Sequence, residues 1–200
     1  MILLPAATVR GTSAEPPAAA FDRFAAVDLP ALLTGYGPLP GVTGVEDATG
    51  DWGTVGATRT IRLSDGSTAR ERVTRADRPT ADAPGGEVGT FAYRVTGYTN
   101  LLRLLAAAAD GTWTFAPTPA GHTAVTWRYT FRPRHPTLAP LLWPVVAGPL
   151  RGYMKKVLRA FSAGARDLSV PTAAEGETSA RAPMTTPPAA RPGPPCSEQP

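Results

Sequence analysis

Apolar and polar residues alternate with period two from Thr112 to Arg134, and the rest of the chain is read around this stretch. Val125, Trp127, Tyr129 and Phe131 alternate with Thr126, Arg128, Thr130 and Arg132, the pattern of a strand with one apolar and one wet face. Ahead of it Trp113 and Phe115 alternate with Thr112 and Thr114, and Pro117-Thr118-Pro119-Ala120-Gly121-His122 between the arms is rich in turn formers. This predicts a β-hairpin with one strongly aromatic face. Such a face has to be covered, and the long apolar segment that follows, Leu138 to Phe161, is the available cover. The expected result is a sheet with a helix laid across it.

The other elements follow in order. Ala6 to Ser13 reads as a first strand, and Glu15-Pro16-Pro17 suits a helix start because the prolines waste no N–H there. Phe21, Phe24, Ala25 and Val27 make the apolar stripe of a short helix, and Ala31 to Thr34 reads as a second. Val42 to Glu46, Thr58 to Leu63, Ser67 to Arg75 and Val88 to Thr96 read as strands, and Asp77 to Gly86 as loop. Ser64-Asp65-Gly66 is a strong hairpin signal. A three-residue loop with Gly66 in the left-handed position pairs Leu63 with Ser67, Ile61 with Ala69 and Arg59 with Glu71. That register keeps the apolar positions on one face, whereas a two-residue turn would set Ile61 opposite Arg70. Leu101 to Ala109 has helical propensity, but its place between two strands favours a strand. The last helix is expected over Pro140 to Ala165. Leu142, Val145, Val146, Pro149, Tyr153, Val157 and Phe161 lie near one face, and Pro144 and Pro149 should kink the first half. Lys155, Lys156, Arg159 and Arg166 crowd its last turns, which suits the negative end of a helix dipole.

Composition adds boundaries. With 200 residues and 42% hydrophobic content, one domain over residues 1–167 has material for a core. From Pro171 onward, eight prolines stand among Ala, Thr, Glu and Ser. Residues 168–200 are therefore expected to be a disordered Pro/Ala-rich tail, unable to offset its ordering entropy by burial. The net charge is +4, and the arginines are scattered on alternating strand positions rather than run together, which favours a solvated sheet face over nucleic-acid binding. The one cysteine, Cys196, allows no disulfide framework or multi-cysteine metal site within the chain. The start MILLPAATVR lacks a basic leader, and the apolar run from Leu138 to Leu150 is short and broken by prolines. The expectation is a cytoplasmic protein with no integral membrane segment, a monomer or weak homodimer.

This order of elements is that of an α+β helix-grip fold, a curved antiparallel β-sheet wrapped around a long C-terminal helix, with two short helices after the first strand. The resemblance is carried by Arg59 through Ser64-Asp65-Gly66 to Glu71-Arg72-Val73, and by Phe91-Ala92-Tyr93-Arg94-Val95. Gly111-Thr112-Trp113, Gly121-His122-Thr123-Ala124-Val125-Thr126-Trp127 and Phe131-Arg132-Pro133-Arg134 complete it. Over roughly Ala6 to Ala165 the chain resembles the SRPBCC superfamily, in its polyketide cyclase/dehydrase-like branch, related to the START and Bet v 1 proteins. The resemblance implies an apolar ligand held between sheet and long helix. Some members cyclise or aromatise polyketides, while others only bind or carry lipids and hormones. Since these are scaffold motifs, they speak for the fold more than for a reaction.

The candidate site follows from the face assignments. Arg59 and Glu71 oppose each other on a mainly apolar face, where each is expensive without the other. The pair serves either as a structural bridge or as polar recognition of a ligand. Glu71 is the best candidate for a proton-transfer group in a cyclase, helped by Tyr93. Ile61, Tyr93, Trp113, Trp127, Tyr129 and Tyr153 either line an aromatic-ligand pocket or fill the core, and Met154 is a similar case. His122 in a turn and His135 before the helix are expected to be exposed. No acid/histidine cluster, G-x-S-x-G or phosphate loop is present, so no metal or cofactor is expected. Leu138 to Leu150, with Trp143, is expected to cap one end of the cavity rather than rest on a membrane surface. Binding of a small hydrophobic, lipid- or polyketide-like ligand is the favoured reading, and a polyketide cyclase/aromatase is the alternative.

Overall fold

The structure, a computed structural model, describes residues 3–80 and 86–167. The expected tail, and 81–85 of the expected loop, lie outside the described residues. Among the described residues seven strands form one antiparallel sheet: β1 (Ala6–Ser13), β2 (Val42–Glu46), β3 (Thr58–Leu63), β4 (Thr68–Asp77), β5 (Gly89–Thr96), β6 (Ala106–Pro117) and β7 (Thr123–Pro133). Their order is β1-β7-β6-β5-β4-β3-β2. Only the first strand is out of sequence, and it pairs with the last, Val9 opposite Trp127 and Ala7 opposite Tyr129. Register shifts interrupt β2 at Val42/Gly44, β4 at Val73/Arg75 and β6 at Ala106/Ala108, and each such bulge adds bend and twist to the curved sheet. The expected helix-grip arrangement is present.

The β3–β4 hairpin has the three-residue register. Arg59 faces Glu71 and Ile61 faces Ala69, the Leu63 N–H donates to the Ser67 carbonyl, and Gly66 has φ of +78°. A left-handed residue there closes the turn without the steric cost that a Cβ would bring.

Two short helices follow β1, α1 (Pro17–Ala25) and α2 (Leu29–Leu32). The second begins two residues before the expected Ala31, because Pro30 is tolerated in a first turn where its missing N–H has no partner to lose. Phe21 and Phe24 of α1 pack edge-on or tilted against Phe91, Trp113 and Phe115 of the sheet, and Phe24 also meets Phe161 of the last helix. Rings buried this way supply about 1.5–3 kcal/mol each, so one end of the space between sheet and helix is solid core.

Two elements differ from expectation. The segment expected as strand from Leu101 is split: Leu102–Leu105 is a helical turn, α3, and the strand starts only at Ala106. The Asn100 side chain accepts from the Leu102 N–H, which starts the turn. The long C-terminal helix is in pieces: α4 (Ala139–Val145), a π-helical turn over Val146–Leu150, and α5 (Arg151–Asp167). Pro144 and Pro149 remove two N–H donors within this stretch, and the wider π turn absorbs the loss. The extra residue in that turn shifts the buried face in part, and the expected Val157 and Phe161 stay buried. Leu150, Met154 and Leu158 are buried, while Pro149 and Tyr153 are only half-buried.

Candidate functional site

The inner face of the sheet changes character along its strands. Phe91, Trp113 and Trp127 form a row across β5, β6 and β7 by direct pairing, and the Trp113 and Trp127 rings stack with centroids 4.7 Å apart. The next row in from this one is Val73, Tyr93, Gly111, Tyr129 and Ala7. The row beyond holds Arg59, Glu71, Val95, Ala109 and Phe131. An apolar aromatic zone thus gives way to a polar one within a few residues.

Gly111 makes the second row possible. A Cβ there would lie 2.3 Å from Cζ of Tyr93 and 2.6 Å from its hydroxyl oxygen, so the hydroxyl end of Tyr93 sits close against the Gly111 backbone. Only glycine admits that approach.

Glu71 and Arg59 are the charged centre. Arg59 Nε donates to Glu71 Oε2 at 2.8 Å, and the two side chains are 11% and 7% exposed. The other face of the guanidinium covers Trp52, with Cζ 3.5 Å from the ring centroid, a cation–π contact that helps to hold the arginine out of water. Burial raises the Glu71 carboxyl above its ordinary value, with the Arg59 charge and hydrogen bond pulling the other way. Around this pair stand four tyrosines. The hydroxyls of Tyr93, Tyr98, Tyr129 and Tyr153 are all raised, first by burial, and the Glu71 charge pushes each the same way. At neutral pH they remain proton donors. The Tyr98 and Tyr129 hydroxyls act on each other, yet the Tyr98 oxygen completes no hydrogen bond. The indole N–H groups of Trp113 and Trp127 approach the Tyr93 oxygen closely enough to favour its charged form, and neither completes a hydrogen bond.

The sequence-derived candidates therefore divide. Arg59, Glu71, Tyr93, Tyr129 and Tyr153 share one electrostatic environment between sheet and α5. Ile61 is buried two residues along β3 from Arg59, on the same face. Trp113, 2% exposed and ringed by Phe24, Phe115 and Phe161, belongs to the core. Trp127 bridges the zones, stacked on Trp113 and edge-on to Tyr129. Met154 is fully buried. Trp52 and Tyr98 escaped the sequence reading. Both lie in irregular segments with no periodicity to assign a face, and the aromatic character of each was the only available signal.

Two grooves lie apart from this cluster. One of about 620 Å³ is bounded by Thr34 to Gly41, Ser64, Asp65 and Lys156, where Lys156 Nζ donates to the Gly35 carbonyl. The other, about 580 Å³, is on the outer sheet face beside Arg70, Arg72 and Arg94. Neither is lined by Glu71 or Tyr93; charge, hydroxyl donors and burial coincide at the buried polar cluster instead. His122 and His135 are exposed, the latter capping a short 3-10 turn through Thr137. Among the described residues no group of acids, histidines and cysteines is arranged to hold a metal ion.

Comparison with known proteins agrees with this architecture. The sequence profile of a family described as polyketide cyclase / dehydrase and lipid transport matches residues 6–166. No curated protein matches the chain. Norcoclaurine synthase from Thalictrum flavum, solved in complex with dopamine and hydroxybenzaldehyde, is 15% identical, with 82% of this chain and 88% of that chain covered and a TM-score of 0.60. The protein Ara h 8.0201 is 16% identical over 81% of this chain and 97% of its own, with a TM-score of 0.58. The protein XoxI from Bacillus cereus is 18% identical over 82% and 98%, with a TM-score of 0.51. At these identities the solved structures speak for the fold alone. The fold is Bet v 1-like, and the chain belongs to the polyketide cyclase/dehydrase and lipid transport family of the SRPBCC superfamily.

Proposed function

We propose that residues 1–167 form a binding domain for a small hydrophobic or aromatic ligand, lipid- or polyketide-like, seated between the sheet and the C-terminal helix. The observation that carries this reading is the buried Arg59–Glu71 pair with tyrosine hydroxyls around it on an otherwise apolar face. An apolar body is desolvated by the aromatic residues, and a carbonyl or hydroxyl on it is oriented by Arg59 and the tyrosine donors. Pairing keeps both charges affordable in that setting. The family's description, which joins cyclase chemistry with lipid transport, supports this ligand class. The protein works in the cytoplasm as a monomer or weak homodimer, without metal or cofactor.

A second reading has one observation in its favour. Burial raises the Glu71 carboxyl, moving it toward the range in which a carboxylate is an effective base. In a polyketide cyclase/aromatase, Glu71 would take a proton from an activated methylene of a poly-β-ketone. Arg59 and the Tyr93 hydroxyl would then stabilise the enolate oxygen.

Native mass spectrometry of the protein purified from its own host, followed by denaturing extraction, tests the binding reading. A co-purifying lipid or aromatic compound is the expected result. An empty protein that turns over a poly-β-ketone, and loses that turnover in Glu71→Gln while remaining folded, would replace binding by catalysis.

A further inference from the structure

The apolar segment after β7 has two faces, and only one is used by the core. Leu142, Val146 and Leu150 are buried, whereas Leu141 is 57% and Trp143 36% exposed. Pro140, Pro144, Ala147 and Gly148 are exposed beside them, and no charged residue occurs between Ala139 and Leu150. The neighbouring α3 packs against α4 and buries none of its own residues. Leu104 within it is 57% exposed, and Leu101, just before it, 79%. Single exposed leucines are ordinary, but several large apolar side chains gathered from two touching elements mark an interaction surface.

The charge around this patch identifies the partner. Arg103 of α3 and Arg134 beyond β7 are exposed and joined, the Arg134 guanidinium donating to the Arg103 carbonyl. Arg151, also exposed, begins α5 as the apolar segment ends. From residue 111 to 166 the sequence contains no Asp or Glu, against Arg128, Arg132, Arg134, Arg151, Lys155, Lys156, Arg159 and Arg166. Leucine and tryptophan rimmed by arginine is the composition of a surface that sits in the headgroup layer of a membrane, with cations on lipid phosphates. At seven residues, α4 is about 10 Å long, and no helix among the described residues is long and apolar enough to cross a bilayer. The contact is therefore superficial. A second copy of the chain fits poorly, because a two-fold interface would set one arginine rim against another.

We propose that Leu101, Leu104, Leu141 and Trp143 form a tip that docks on a bilayer containing anionic phospholipid, with Arg103, Arg134 and Arg151 contacting the headgroups, so that the segment expected from its sequence to cap the cavity instead presents its exposed face to a membrane. The docking does not depend on any ligand in the interior, so it and the binding function can fail separately.

Co-sedimentation of the full chain with vesicles tests this, using phosphatidylcholine alone or mixed with phosphatidylglycerol. Binding is expected to be about tenfold or more tighter to the mixed vesicles at low salt, and to weaken as salt screens the arginines. The Leu141→Ser/Trp143→Ser pair should lose about tenfold of that binding with an unchanged melting curve, since both side chains are exposed. Leu101→Ser/Leu104→Ser, in a different element, should do the same and serves if the first pair misfolds. Arg103→Gln/Arg134→Gln should weaken binding and flatten its salt dependence. The proposal is overturned by wild-type protein that ignores mixed vesicles at low salt, or by binding that survives both apolar pairs. Light scattering that shows a wild-type dimer dissociated by either pair would overturn it in favour of a self-interface.

Discussion

Arg59 and Glu71 meet across the β3–β4 hairpin with Nε 2.8 Å from Oε2, and the same guanidinium lies 3.5 Å over the ring of Trp52. The arginine is thus held on both sides, by a charge and by a π face, and the carboxylate has one cation as its listener in an apolar surround. Removing one partner alone should therefore cost more than removing both.

Arg59→Met strands a buried carboxylate, and it should cost about 3–5 kcal/mol in urea unfolding. Glu71→Gln keeps an acceptor beside the guanidinium and should cost about 1–3 kcal/mol, leaving apolar ligand binding nearly intact. Arg59→Met combined with Glu71→Leu should recover most of the single-variant loss, because no charge is left uncompensated. Additive losses in the double variant would contradict the buried-pair account.

The pH dependence follows from the raised Glu71 carboxyl. A folded pKa above the unfolded value of 4.5 means that the native protein holds its proton to higher pH than the unfolded chain does. The contribution of this group to stability is then full below the unfolded value and is lost as pH rises through the folded one. The stability advantage of wild type over Glu71→Gln should shrink across that window, as read from urea midpoints of both proteins. An advantage that grows with pH would mean that Arg59, rather than burial, dominates the carboxyl.

Gly111→Ala would place a Cβ against the hydroxyl end of Tyr93, 2.3 Å from Cζ. Tyr93 is buried, so we expect a loss of about 1–3 kcal/mol. In a Tyr93→Ala background the same substitution should cost little. Denaturation of the four-member cycle measures the coupling directly.

Core and site should separate under truncation. Trp113→Ala removes a side chain ringed by Phe24, Phe115 and Phe161 and should cost about 3–5 kcal/mol. Tyr129→Phe and Tyr153→Phe keep the rings and remove hydroxyls in the Glu71 environment. They should leave the melting temperature nearly unchanged and weaken a ligand that carries a polar group, as read by titration of whatever compound native mass spectrometry identifies. A ligand affinity indifferent to both would place binding elsewhere.

Much of this arrangement was legible along the chain. Arg59 opposite Glu71 was readable because Ser64-Asp65-Gly66 admits one register that keeps the apolar positions together, and Tyr93, Trp127 and Tyr129 were readable from period two. The last helix was readable in extent and in part of its buried face, Leu142, Val146, Val157 and Phe161, but across the π turn at Val146–Leu150 the expected Pro149 and Tyr153 give way to Leu150, Met154 and Leu158. The split at Ala106 was missed because helix propensity and strand context compete over the same residues, and the Asn100 side chain tips the balance by accepting from the Leu102 N–H.

Strand count, hairpin register and the alternation of inner and outer residues are written locally, in periodicity and turn chemistry that act over a few residues. The meeting of Trp52 with Arg59, the approach of Tyr98 to Tyr129, the close seat of Tyr93 on Gly111 and the bare apolar face of α3 and α4 were decided only by tertiary structure. They depend on how loops and helices settle on a bent sheet, and on which faces the core leaves uncovered, and no local pattern encodes either.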